Sequence, residues 1–131
     1  MSLTDKLIKV NPDKLNVKQV KHYGSRHLKE LMGAEKPVEI TFQELTPERL
    51  NELMDGRELD KMSENYEICS MICVDSITDP NVKDPDLAKH FGASTPQKLV
   101  KKLFRFECNE IAGEVLKMAG ITDDAEEKVK N

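Results

Sequence analysis

Three cysteines and three histidines carry most of the ligand and nucleophile chemistry in this 131-residue chain. Cys69 and Cys73 lie one helical turn apart, while Cys108, His22, His27 and His90 stand elsewhere. A structural zinc site asks for a C-x₂₋₄-C pair answered by a second pair. That second pair is missing. Cys69 and Cys73 also sit among Ile68, Met71, Ile72 and Val74, so they are expected as reduced core thiols. An odd number of cysteines without secretory context points the same way. A thiol nucleophile would need a base and a thiolate-stabilising setting, and nothing ties His90, beside Phe91, to any cysteine. Asp75, Asp79, Asp84 and Asp86 do not form the D-x-D-x-D-G run with a closing Glu of a calcium loop. Asp79 and Asp84 each precede a proline and fit turn and cap positions instead. No G-x-x-x-x-G-K-[ST] phosphate loop is present. The expectation is a protein with no catalytic residues, no metal site and no cofactor.

One charged cluster remains: Lys18, Lys21, His22, Tyr23, Arg26, His27 and Lys29. It could grip phosphate, with Tyr23 stacking on a base. Equally, it could be a solvated basic face or a docking edge for an acidic partner. Residues 1–36 hold eight Lys/Arg against four Asp/Glu, a net +4; the whole chain is −4, so residues 37–131 carry −8. An acidic body argues against nucleic acid as the partner, because such binding wants a basic face. Apolar residues make up 38% and charged residues 34%, with six aromatics and no Trp, which describes a soluble chain with a modest core. The length suits one domain that folds without disulfides or metal. The longest apolar run is far short of a membrane span, and MSLTDKLIKV lacks a signal-peptide apolar stretch, so a cytosolic protein is expected.

The elements that would position these residues are mainly helical. Val38, Ile40 and Phe42 alternate with polar residues as a short strand, and its expected partner near Val17–Tyr23 would complete a small N-terminal β-ribbon. Leu28, Leu31 and Met32 have helical spacing, and Gly33 to Pro37 reads as a loop. Thr46-Pro47, Asp84-Pro85 and Thr95-Pro96 each place a capping oxygen before a proline at the first helical position. Asp55-Gly56 ends or interrupts the first of these helices, and Gly92 ends the second. Residues 63–78 are apolar around most of a helix and should sit centrally, with Asp79-Pro80 as the stop. The final helix has the clearest stripe: Cys108, Ile111, Ala112, Val115, Leu116 and Ala119, closed by Gly120. Met54, Met62, Met71 and Met118 could line a partner groove or fill gaps in the core.

Several of these segments resemble, in order, the XkdN-like tail assembly chaperones of long-tailed phages and prophage elements. VEITFQELTPERLNEL is similar to that family's strand followed by a Thr/Glu-rich helix start. In YEICSMICVDSITDPNVKDPDLAKHFGASTPQKLVKKLF, Pro80, Asn81, Asp86, Leu87, Phe91, Gly92, Leu99 and Leu103 occupy the places of the family's central turn and the following helix. IAGEVLKMAGI resembles its usual close, and Ser25–His27 resembles its basic Ser-Lys/Arg-Arg segment. The chain departs from the pattern at Arg105-Phe106-Glu107-Cys108, where a Gly-Glu pair is common, and at Val82, where leucine is common. The resemblance covers residues 38–121.

The resemblance implies a non-enzymatic protein that binds the tape measure protein, keeps it soluble and assists tail tube assembly. It would act in the bacterial host cytoplasm and be absent from the mature virion, with the tail tube protein as a possible further partner. The expected layout is a single tail-chaperone-like domain over 1–121, with a basic segment over 1–36 and a strand plus helical core over 37–121, then a charged, disordered tail over 122–131. Leu99, Leu103, Phe104, Val115 and Met118 are the expected partner-binding residues, with the strand-to-helix region and the final helix as the surface. Two other readings stand beside this one: a small helical DNA-binding regulator using the basic N-terminal third, and a structural tail component.

Overall fold

Three Thr/Asp-Pro signals set the helical frame. In the protein's structure, a computed structural model, residues 2–16, 18–55 and 62–120 are described, the side chains of residues 16 and 62–64 excepted. Thr46 caps the helix Pro47–Met54 (α3), accepting the Arg49 N–H at 3.2 Å. Asp84 caps Pro85–His90 (α5) through the Asp86 N–H at 2.9 Å, and Thr95 caps Pro96–Phe104 (α6) through the Lys98 N–H at 3.1 Å. In each, proline takes an early position whose N–H has no intrahelical partner, and the cap satisfies one of the N–H groups left over. Gly92 and Gly120 follow α5 and the final helix with φ of 69° and 85°, the left-handed geometry that glycine adopts without strain.

The chain is mainly α with a small antiparallel sheet. Val20–Ser25 (β1) pairs with Val38–Gln43 (β2) from Val20↔Gln43 to Ser25↔Val38, and Arg26–Met32 (α2) lies between them in sequence. The expected ribbon is therefore present, beginning at Val20; Val17 lies outside the described residues. Ile40 and Phe42 point to the core and are fully buried, as the alternation requires.

The long helix Met62–Ser76 (α4) is central, packing chiefly on the last helix, Glu107–Met118 (α7), and also on α6 and α3. It ends two residues earlier than its apolar pattern suggests. Ile77–Asp79 instead forms a short strand (β3) on the far edge of β2, with Ile77 opposite Phe42 and Asp79 opposite Thr41. Two β-branched residues ahead of a proline gain more from a ladder beside β2 than from another helical turn. The Thr78 hydroxyl adds a bond to the Thr41 carbonyl at 3.3 Å.

Two helices do not follow from apolar spacing. Leu3–Ile8 (α1) is set by a capping box, Ser2 with Asp5, and is followed by a 3₁₀ turn at Pro12–Asn16. α1 buries no residue against the rest of the chain. α3 ends at Met54 with Asp55 as its C-cap, while Gly56, Met62's side chain and the charged tail over 122–131 lie outside what is described.

The core runs along α4, α6, α7 and the inner face of the sheet. Ile72, Cys73, Leu99, Phe104, Cys108, Ile111 and Val115 are all essentially inaccessible. The link from α6 to α7 turns at Arg105, with φ 52° and ψ −129°. That geometry favours glycine, and a non-glycine residue there costs about 1–3 kcal/mol. It falls in the segment where a Gly-Glu pair is common in the family this chain resembles. Arg105→Gly is therefore expected to raise stability by about 1 kcal/mol, after allowing for the added freedom of the unfolded chain. Thermal melts of the two proteins check it.

Candidate interaction surface

Two members of the basic cluster, Lys21 and Arg26, pair with carboxylates of α7. Ser25 caps α2, accepting the Leu28 N–H at 3.0 Å, and its hydroxyl donates to Glu107 at 2.7 Å. Glu107, only 8% exposed, also accepts the backbone N–H groups of Arg26 at 2.9 Å and His27 at 3.3 Å. A carboxylate from the far end of the chain thus completes the cap of α2 and lies against its positive end. One turn on, Glu110 accepts from Arg26 Nη2 at 2.9 and 3.0 Å and from the Tyr23 hydroxyl. Lys21 lies 3.8 Å from Glu114, and His22 sits 3.0 Å from Glu39. Glu110 and Glu114 are the outward residues of the α7 stripe, and outward here means against β1 and α2.

The charges respond accordingly. The Tyr23 hydrogen bond, with Arg26 beside it, holds the Glu110 carboxyl below its usual value. Burial, together with the Glu110 contact, pushes the Tyr23 phenol above its ordinary value. A depressed carboxylate contributes stability above its unfolded pKa, here near 4.5, and that share is lost as pH falls through the lower folded value. Tyr23→Phe should therefore flatten the acid limb of the stability curve. The change should stay below about 1 kcal/mol, because Glu110 is half-exposed and screened. Urea melts from pH 6 down through about pH 3 measure it.

Cys73 and Cys108 meet in the core, Cys73 Sγ donating to the Cys108 carbonyl at 3.4 Å, while His27 and His90 are engaged elsewhere. Cys69, Cys73 and Cys108 are free and buried, as expected of core thiols. Burial pushes the Cys69 thiol up to about 11, and hydrogen bonding with Cys108 together with burial raises Cys73 as well. Such thiols are poor nucleophiles. His27 Nδ1 is engaged by the Leu103 carbonyl, and His90 stacks edge-on against Phe91. Among the described residues no three His, Cys, Asp or Glu side chains are placed to share a metal ion. No helix among them is long and apolar enough to cross a membrane.

The expected partner-binding residues divide between core and surface. Leu99, Leu103, Phe104 and Val115 are buried in the core, whereas Met118 is half-buried at the end of α7. Met118 lines a groove of about 500 Å³ with Ala119, Leu15, Leu45, Thr46 and Pro47; Lys18 and Glu44 stand at its rim. The groove joins the β2–α3 connection to the final helix, the two regions expected to form the surface. Leu15 and Leu45 were not singled out by the sequence, since each is a lone leucine without periodic neighbours. Phe106 is a second exposed apolar feature, 69% accessible and tilted against Tyr66 at 5.5 Å.

A family model for phage XkdN-like tail assembly chaperone proteins matches residues 5–131. The match takes in the basic N-terminal third, beyond the stretch whose motifs carry the resemblance. No curated protein matches the chain. Among solved structures, the crystal structure of the protein yqbn aligns with a TM-score of 0.52 at 16% identity, covering 78% of this chain and 87% of that one. At that identity the likeness concerns the fold alone. With a family match spanning nearly its whole length, this chain belongs to the phage XkdN-like tail assembly chaperone family.

Proposed function

We propose that this chain binds the tape measure protein, keeps it soluble and assists assembly of the tail tube, acting in the host cytoplasm without catalysis. The observation that carries the reading is family membership, since a tail assembly chaperone works on a tail protein. A tape measure presents long apolar helical faces that aggregate unless covered. An apolar groove on an acidic body suits such a client, by helix-in-groove packing with a solubilising exterior.

In this reading the partner's helix enters the groove at Leu45, Pro47 and Met118. Leu99, Leu103, Phe104 and Val115 serve it from behind, holding α6 and α7 in place. The basic third has a different part. Its Lys21, His22, Tyr23 and Arg26 face carboxylates, which leaves little positive surface for a DNA backbone.

Met118→Asp should reduce co-elution with the tape measure protein by about tenfold or more, a charge in an apolar contact being worth at least 1.4 kcal/mol. A thermal melt run alongside separates loss of contact from loss of fold. Unchanged co-elution with the fold intact would remove the groove from the account.

A further inference from the structure

The least explained feature of the chain is α1. Its Leu3, Leu7 and Ile8 are 71%, 60% and 77% exposed, and Val10 just beyond is 44% exposed. Leu3 and Leu7 lie one helical turn apart and so share one face, with Val10 following just beyond the helix. Six residues lie well below the roughly 12–15 that an isolated helix needs to persist in water. The Ser2–Asp5 capping box helps by about 1 kcal/mol, which does not offset that shortfall. An amphipathic helix this short is stabilised by what its apolar face packs on, and among the described residues α1 buries none of its side chains.

We propose that α1 docks in the groove of a second copy of this chain, against Leu45, Pro47 and Met118, in a reciprocal exchange of N-terminal arms. Both halves of the contact are present in one chain. The arm offers a leucine face flanked by Lys6, and the groove offers an apolar floor with Glu44 and Lys18 at its rim and Glu48 on the adjoining first turn of α3. The arm's own charge has the matching sign, Lys6 and Lys9 against Asp5 giving +1 over residues 1–10, against −8 over residues 37–131. Leu15, in the 3₁₀ turn that follows α1, already lines the groove of its own chain, so the arm leaves from the groove's edge. Two copies related by a two-fold axis would each give an arm and receive one, which closes the assembly at a dimer. This inference does not rest on the identity of the tail partner, although the arm and a partner helix would exclude each other from the groove.

Sedimentation of the purified full chain over a concentration series tests it, with no tail protein present. The expected mass approaches twice the 14.9 kDa of the chain. The double substitution Leu3→Asp with Leu7→Asp lies on an exposed helix and leaves the core untouched; it should return the mass to that of the monomer. Met118→Asp should do the same. Mixing the two variants should restore a one-to-one complex, because one has an intact groove and the other an intact arm. If Met118→Asp fails to fold, the arm variant alone decides. A wild-type monomer throughout the series would overturn the proposal, whether the arm is free or folded on its own groove. So would a dimer that survives the arm substitutions. The arm variant should still bind the tape measure protein, so the two proposals fail separately.

Discussion

Glu107→Ala should lower the stability of the fold by about 3 kcal/mol, the upper range for leaving buried donors without a charged acceptor. In a chain of this size that corresponds to a fall in melting temperature of about 10 °C. The effect is large because one carboxylate serves four donors across the fold: the hydroxyls of Ser25 and Tyr23 and the N–H groups of Arg26 and His27. Without it, the N–H groups of Arg26 and His27 lose their acceptor, and the buried Ser25 hydroxyl keeps its bond from Leu28 but has nowhere to donate. Glu107→Gln should fall between, losing about 1–2 kcal/mol, since an amide retains the shape but turns an NH₂ toward donors. Chemical denaturation of the three proteins gives the ranking. Equal stability of wild type and Glu107→Ala would mean that the α7 carboxylate does not hold β1 and α2 to the helical body.

Phe104→Ala should have an effect at least as large, about 4 kcal/mol, from lost burial plus the cavity left behind. Phe104 is fully buried at the end of α6, immediately before the strained turn at Arg105. A loss of that size is a large part of the about 5–15 kcal/mol that holds a domain folded. The measurement separates two roles that a sequence cannot. A core Phe104 gives a destabilised protein whose partner binding weakens only as the folded fraction falls. A contact residue gives normal stability with weak binding.

The helix starts were legible because their signals are local. Thr46-Pro47, Asp84-Pro85 and Thr95-Pro96 specify their caps within four residues, and the α7 stripe from Cys108 to Val115 is long enough to fix its buried face. β3 was not legible. Ile77–Asp79 continues the apolar run of α4, and only the presence of β2 alongside makes it a strand. α1 is too short for a period to show, though Ser2 and Asp5 do carry the spacing of a capping box.

The surface was harder to read than the fold. Leu99, Leu103 and Phe104 make an apolar helical face, and such a face looks the same in sequence whether it meets α4 or a partner. Glu107 and Glu110 look like solvated helix residues until folding brings Ser25 and Arg26 against them from more than eighty residues away. The pairing of Lys21 and Arg26 was hidden for the same reason, their counter-charges lying at the other end of the chain. The groove is assembled from Leu15, Leu45, Pro47 and Met118, residues that no local pattern groups together.

The central claim is that this chain is the solubilising partner of a tape measure protein, and co-expression tests it most directly. The tape measure protein from the same tail would be produced with and without this chain, and its soluble yield compared after size-exclusion chromatography. The account predicts that it is largely insoluble alone, and that in co-expression it becomes soluble and co-elutes with this chain. Equal insolubility in both cases, with this chain eluting by itself, would contradict the account.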